Sequence, residues 1–112
     1  MTRIPELEAR LDALTTRILV PLRASKEVDP EAVSKLYELM GELAADIGEA
    51  EMVPRLLVGK LWFIFTQMLS EAAHTRSPDD ILMTAWGYEE RLEQIFGPFF
   101  SSSPPTPGVP RY

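Results

Sequence analysis

An all-α fold, a four-helix up-down bundle followed by a proline-rich tail, is predicted by three features of the sequence. Apolar residues recur at spacings of three and four in four separate stretches. Helix start and stop residues fall between those stretches. No segment alternates with period two between turn residues, so no strand is expected. At 112 residues, 46% of them hydrophobic and 25% charged, the chain suits one domain with a modest core. The bundle is expected over residues 1–97 and an extended tail over 98–112.

The first helix is expected over about 5–20. Pro5 is harmless in a first turn, where its missing N–H would have no partner anyway. Ile4, Leu7, Leu11, Leu14 and Ile18 make one apolar stripe. Pro21 removes a helical hydrogen bond and disfavours helix at Val20, so the helix is expected to kink or stop there. Arg23 to Val28 then forms the connection.

The second helix, 30–47, carries the clearest start: Asp29 as N-cap, Pro30 in the first position and Glu31 at the positive end of the dipole. Val33, Leu36, Tyr37, Met40, Leu43, Ala44 and Ile47 form its inner face, and Gly48 stops it. The third helix, about 52–74, presents an apolar arc of Leu57, Val58, Leu61, Trp62, Ile64, Phe65, Met68, Leu69 and Ala72. The fourth, 78–96, starts with Ser77 as cap and Asp80 as the carboxylate of a capping box. Its inner face is Ile81, Ala85, Tyr88, Leu92, Ile95 and Phe96, and Gly97-Pro98 ends it. Short connections favour antiparallel neighbours. The tail holds Ser101-Ser102-Ser103 and two loose PxxP spacings, a pattern common in any proline-rich end, so a passive terminus is expected.

Composition removes several chemistries. The chain has no cysteine, so disulfides, thiolate nucleophiles and cysteine metal sites are excluded. The net charge of −6, from 17 acidic and 11 basic side chains, opposes a nucleic-acid partner, although Arg3, Arg10 and Arg17 recur every seven residues along the first helix. The longest apolar run, Leu56 to Leu69, is interrupted and falls short of the roughly 20 residues that span a bilayer. The residues after Met1 lack the apolar stretch of a signal peptide, and a cytoplasmic location without membrane contact is the expectation.

No reaction is spelled out. Glu71 and His74 have the Glu-x-x-His spacing of di-iron bundles, but His74 is the single histidine and only a dimer would supply two such pairs. At a helix end, capping of carbonyls is the plainer role. There is no G-x-S-x-G turn, and the glycines are too scattered for a phosphate loop. The chain is therefore expected to be no enzyme and to use no cofactor or resident metal.

What remains is surface. Met52, Leu56 and Phe63 line up nearly opposite the main arc of the third helix, with Gly59 and Ser70 beside them. Leu82 and Trp86 project from the fourth helix beside Glu89 and Glu93. These five side chains are the predicted partner-binding residues, because a small bundle does not need them for its core. Glu38, Glu42, Asp46 and Glu49 form a predicted acidic patch for a basic partner. The expected function is that of a non-catalytic interaction module (an adaptor, regulator or inhibitor), homodimeric or bound to another protein. The alternatives are a bundle that holds a small apolar ligand in an aromatic pocket, and a dimeric metal site at Glu71 and His74.

Overall fold

The computed structural model describes residues 2–97, and within them four helices are formed: α1 (Ile4–Ser25), α2 (Pro30–Ile47), α3 (Arg55–Ala73) and α4 (Asp79–Phe96). The expectations for the tail, including its PxxP spacings, lie outside the described residues. No strand occurs among those described.

Helix α2 matches its expected span, and its cap shows why. The Asp29 carboxylate accepts the Ala32 N–H at 3.1 Å, and that bond, with the Arg17 guanidinium behind it, holds the Asp29 carboxyl below the ordinary carboxylate range. Gly48 closes the helix at φ 57°, a left-handed value that glycine adopts without strain.

Three boundaries differ from expectation. Helix α1 runs through Pro21 to Ser25 and closes on Lys26, whose N–H donates to Leu22 O at 3.0 Å. An interior proline costs about 3 kcal/mol. Burial of Leu19 and Leu22, at about 1.5–3 kcal/mol each, outweighs it. Helix α3 starts at Arg55, not 52, because Pro54 disfavours helical backbone at Val53 and itself takes the N-cap position. At α4 Ser77 does not cap: Pro78 occupies the N-cap, one position later, and no side chain accepts from the first turn.

Directions follow from the cross-helix contacts. Arg3 reaches Glu42 and Arg17 reaches Asp29, so α1 and α2 are antiparallel. Lys60 pairs with Glu8 and Asp12 while Lys26 pairs with Glu71, so α1 and α3 run parallel. Helices α3 and α4 pack on each other across the short 74–78 connection, so they are antiparallel. The helices alternate up and down, yet their order around the bundle is α1, α2, α4, α3. Helices α2 and α3 occupy opposite corners with no close approach of their backbones, as do α1 and α4. The 48–54 connection therefore crosses a diagonal instead of joining neighbours.

Leucine fills the interior, with Leu7, Leu11, Leu36, Leu39, Leu43, Leu57 and Leu61 fully buried. Among the described residues no charged side chain is buried and no buried polar atom lacks a partner. Among the described residues the one aromatic deep inside is Tyr88, whose hydroxyl donates to Leu61 O at 2.6 Å.

The α2–α4 seam depends on a glycine. A Cβ at Gly87 would lie 2.6 Å from the Tyr37 hydroxyl oxygen and 3.2 Å from its ring carbon. Tyr37 donates to Thr84 O at 2.8 Å, and the Arg91 guanidinium covers its ring at 4.3 Å. Alanine at 87 gains about 1 kcal/mol of helix propensity. It also dislodges Tyr37, which forfeits a hydrogen bond and a cation–π contact, each worth about 1 kcal/mol, and crowds the seam besides. Gly87→Ala is expected to lower stability by about 1–2 kcal/mol in chemical denaturation. In a Tyr37→Phe background, where the obstructing oxygen is absent, the same change is expected to cost less or to stabilise. Equal costs in both backgrounds would show that the contact is not the cause.

Candidate interaction surface

Helix α3 stands at a corner, supported by α1 on one side and α4 on the other. Its inner row is Leu57, Leu61, Ile64, Met68 and Ala72. The charged residues inside the helix turn toward α1: Lys60 bonds Glu8 at 2.7 Å and Asp12 at 3.0 Å, and Glu71 pairs with Lys26. Those hydrogen bonds keep the Lys60 ammonium charged to higher pH than usual, with Glu8 the larger cause.

Of the residues of α3 itself, those turned outward are then uncharged, and the one cation seen over them is the Arg23 guanidinium of α1, 5.8 Å from the centre of the Phe63 ring. Beyond Arg55, the exposed residues of α3 are Leu56, Val58, Gly59, Trp62, Phe63, Thr66, Leu69, Ser70 and Ala73. A water-facing strip with no charge over most of a 19-residue helix departs from the polar outer face of an ordinary bundle helix. Glycine, threonine and serine run down its middle. Val58, Trp62 and Leu69 rise on the α4 side, Leu56 and Phe63 on the α1 side. Trp62 is 50% exposed, Phe63 45% and Leu56 65%. Trp86 on α4 is 57% exposed.

Of the five predicted partner-binding residues, the structure leaves Met52, Leu56, Phe63 and Trp86 exposed. Leu82 is the correction. It is half-buried and packs on the core at the α3–α4 seam. A second correction concerns Val58, Trp62 and Leu69, which belong to the expected inner arc but are exposed. They sit at the edge of the arc on the α4 side, and α4 leaves them uncovered. Their hydrophobicity was evident from sequence; their exposure was not.

The acidic row behaves differently from an open patch. Glu42 accepts from Arg10 at 2.8 Å and from Arg3 at 3.0 Å, and these bonds hold its carboxyl below the ordinary range. Asp46 accepts the Arg3 backbone N–H at 3.1 Å. The arginine stripe of α1 and the carboxylate row of α2 thus neutralise one another across the α1–α2 seam. Glu38 and Glu49 have no ion-pair partner among the described residues.

The Glu71–His74 pair is not assembled as a metal site. Glu71 is taken by Lys26, and the His74 Nδ1–H donates to Ser70 O at 2.7 Å. Among the described residues no three histidine, aspartate or glutamate side chains converge on a point. Among the described residues no helix is long and apolar enough to cross a membrane.

Between α3 and α4 an open cleft of about 390 Å³ is lined by Trp62, Phe65, Glu89, Leu92, Glu93, Phe96 and Gly97. Trp62 and Phe65 are the aromatic residues that α3 contributes to it. The Trp62 and Phe65 ring centroids are 5.8 Å apart at 42°, forming an angled wall. Phe65 stacks on the buried Tyr88 at 6.2 Å, which holds that wall in place. No family model matches the chain, and no curated protein and no solved structure matches it.

Proposed function

We propose that this protein is a non-catalytic interaction module that self-associates through the uncharged outer strip of α3 and the adjoining Trp86 of α4. The observation that carries the proposal is the absence of charge: α3 commits Lys60 and Glu71 to α1 and leaves only uncharged residues toward solvent after Arg55. Large aromatic side chains bury 150–250 Å² each, so the exposed halves of Trp62, Phe63 and Trp86 offer about 300 Å². Leu56, Val58 and Leu69 bring the apolar area to about 500 Å², over half of the roughly 800 Å² per partner of a standard interface. A second copy supplies the same strip, and twofold pairing is the commonest way for a protein to cover such a face.

A basic partner at Glu38 and Glu49 is a weaker form of the proposal, because Glu42 and Asp46 are already engaged. A cytoplasmic location belongs to the same reading. Sedimentation equilibrium at micromolar concentrations is expected to report a dimer, and a monomer throughout that range would end the proposal.

One observation favours a second reading, a small-molecule site: the α3–α4 cleft, whose volume is within the 300–1,000 Å³ of ordinary ligand pockets.

A further inference from the structure

We infer that two copies of the chain pair α3 on α3 antiparallel, about a twofold axis that passes between Phe63 and Thr66. The inference rests on the self-association proposed above and deepens it to one arrangement of the second copy.

The outer face of α3 carries a seam of its own. Leu56, Gly59, Phe63, Thr66, Ser70 and Ala73 follow one another at spacings of three, four, three, four and three, and all six are exposed. At about 100° per residue their mean direction is opposite that of the inner row Leu57, Leu61, Ile64 and Met68. Such spacing lets two helices pack along a shared line in successive layers. With the axis between Phe63 and Thr66, Phe63 meets the partner's Thr66, Leu56 meets the partner's Ala73, and Gly59 meets the partner's Ser70. Each large side chain then rests on a small one. Parallel pairing would instead stack leucine on leucine and phenylalanine on phenylalanine, with glycine on glycine between them, alternately crowded and empty. Among the described residues nothing lies within 4 Å of where a Gly59 Cβ would stand, so the space over it is open to a close neighbour. The Thr66 hydroxyl donates to Phe63 O at 2.9 Å and enters the seam already satisfied.

The flanks select the same direction. A twofold axis perpendicular to the helices sets the α4 flank of one copy against the α4 flank of the other, and α1 against α1. On the α4 flank Trp62 meets the partner's Leu69, apolar on apolar. On the α1 flank Arg23 donates to Gln67 Oε1 at 2.7 Å and has no carboxylate partner among the described residues. Lys60 is shared by Glu8 and Asp12, which leaves one carboxylate charge in excess, and the Asp12 side chain is 56% exposed. In the antiparallel register the partner's Lys60 stands level with Leu69, about 3 Å along the axis from Gln67. Arg23 is thereby brought beside the partner's Asp12, twice over by symmetry. Exposed rim pairs of this kind add little strength, but they oppose the parallel arrangement, which would turn Arg23 toward the partner's apolar flank.

Because the chain has no cysteine, introduced thiols report the register directly. Gly59→Cys and Ser70→Cys are made separately, confirmed as dimers by sedimentation, mixed in equal amounts and oxidised. Intact-mass measurement is expected to find the disulfide joining one variant to the other, with either variant alone remaining largely uncrosslinked. Ser70→Cys crosslinked to itself overturns the antiparallel arrangement and leaves self-association standing. A mixture that sediments as a dimer but forms no disulfide does the same. A monomer in sedimentation overturns the arrangement and the self-association together. Arg23→Glu and Asp12→Arg are each expected to weaken association about threefold, and the two combined are expected to restore it. Losses that simply add in the double variant overturn the register.

Discussion

Tyr88→Ala is expected to remove about 3–5 kcal/mol of folding stability, most of what a domain of this size holds. The side chain is fully buried, its ring stacks on Phe65, and its hydroxyl supplies the bond to Leu61 O that links α3 to α4. Truncation opens a ring-sized cavity at that junction, and the surrounding leucines close it only in part. Tyr88→Phe keeps the packing and gives up one hydrogen bond, so about 1 kcal/mol is expected. Urea denaturation of the three proteins measures both values. A loss for alanine no greater than that for phenylalanine would show that Tyr88 is not the keystone of the α3–α4 pair.

The same residue sets an alkaline limit. Burial pushes the Tyr88 phenol far above its ordinary value. In the unfolded chain it ionises near pH 10, whereas in the folded chain it stays neutral. The unfolded state therefore binds fewer protons above that pH, and stability falls as pH rises through it. Tyr88→Phe is expected to remove that share of the alkaline loss, read from denaturation midpoints on either side of pH 10.

Trp62→Glu and Trp86→Glu are each expected to weaken self-association by about 30- to 150-fold, the 2–3 kcal/mol of an interface hot spot, with helical circular dichroism unchanged. Both rings are half exposed, so the fold does not need them, and a carboxylate in an uncharged interface is left without a partner. Leu82→Glu is the contrasting case. That side chain packs on the core, and its replacement is expected to reduce helix content as well. Salt distinguishes the two candidate surfaces. Pairing over the α3 strip should be insensitive to ionic strength or strengthened by it, whereas an association steered by Glu38 and Glu49 should weaken. Sedimentation of the variants across a salt series checks both expectations. Dimers that withstand both tryptophan substitutions would move the interface elsewhere.

How far the candidate surface was readable in the sequence differs from residue to residue. Leu56 and Phe63 fall opposite the inner row of α3, so a wheel exposes them in any bundle with a single core. Trp62 and Leu69 lie at the border of that row, where a wheel has no power to decide. Their exposure depends on whether a helix stands beside them, a matter of topology. The acidic row shows the same limit. Glu42 looks free on its own helix and is quenched because Arg3 and Arg10, more than thirty residues away, land on it.

The sequence by itself determined the four helices and the central rows of their inner faces, since periodicity and capping act within a few residues of one another and α2 needed nothing more than Asp29 and Gly48 to set its ends. It was also sufficient for the absence of thiol chemistry. Tertiary structure decided the rest. It carried α1 past Pro21 through the burial of Leu19 and Leu22, paired the arginine stripe with the carboxylate row, and set α2 diagonally from α3. Local interactions orient a side chain about its own helix axis; only the placement of the other helices determines whether that direction meets protein or water.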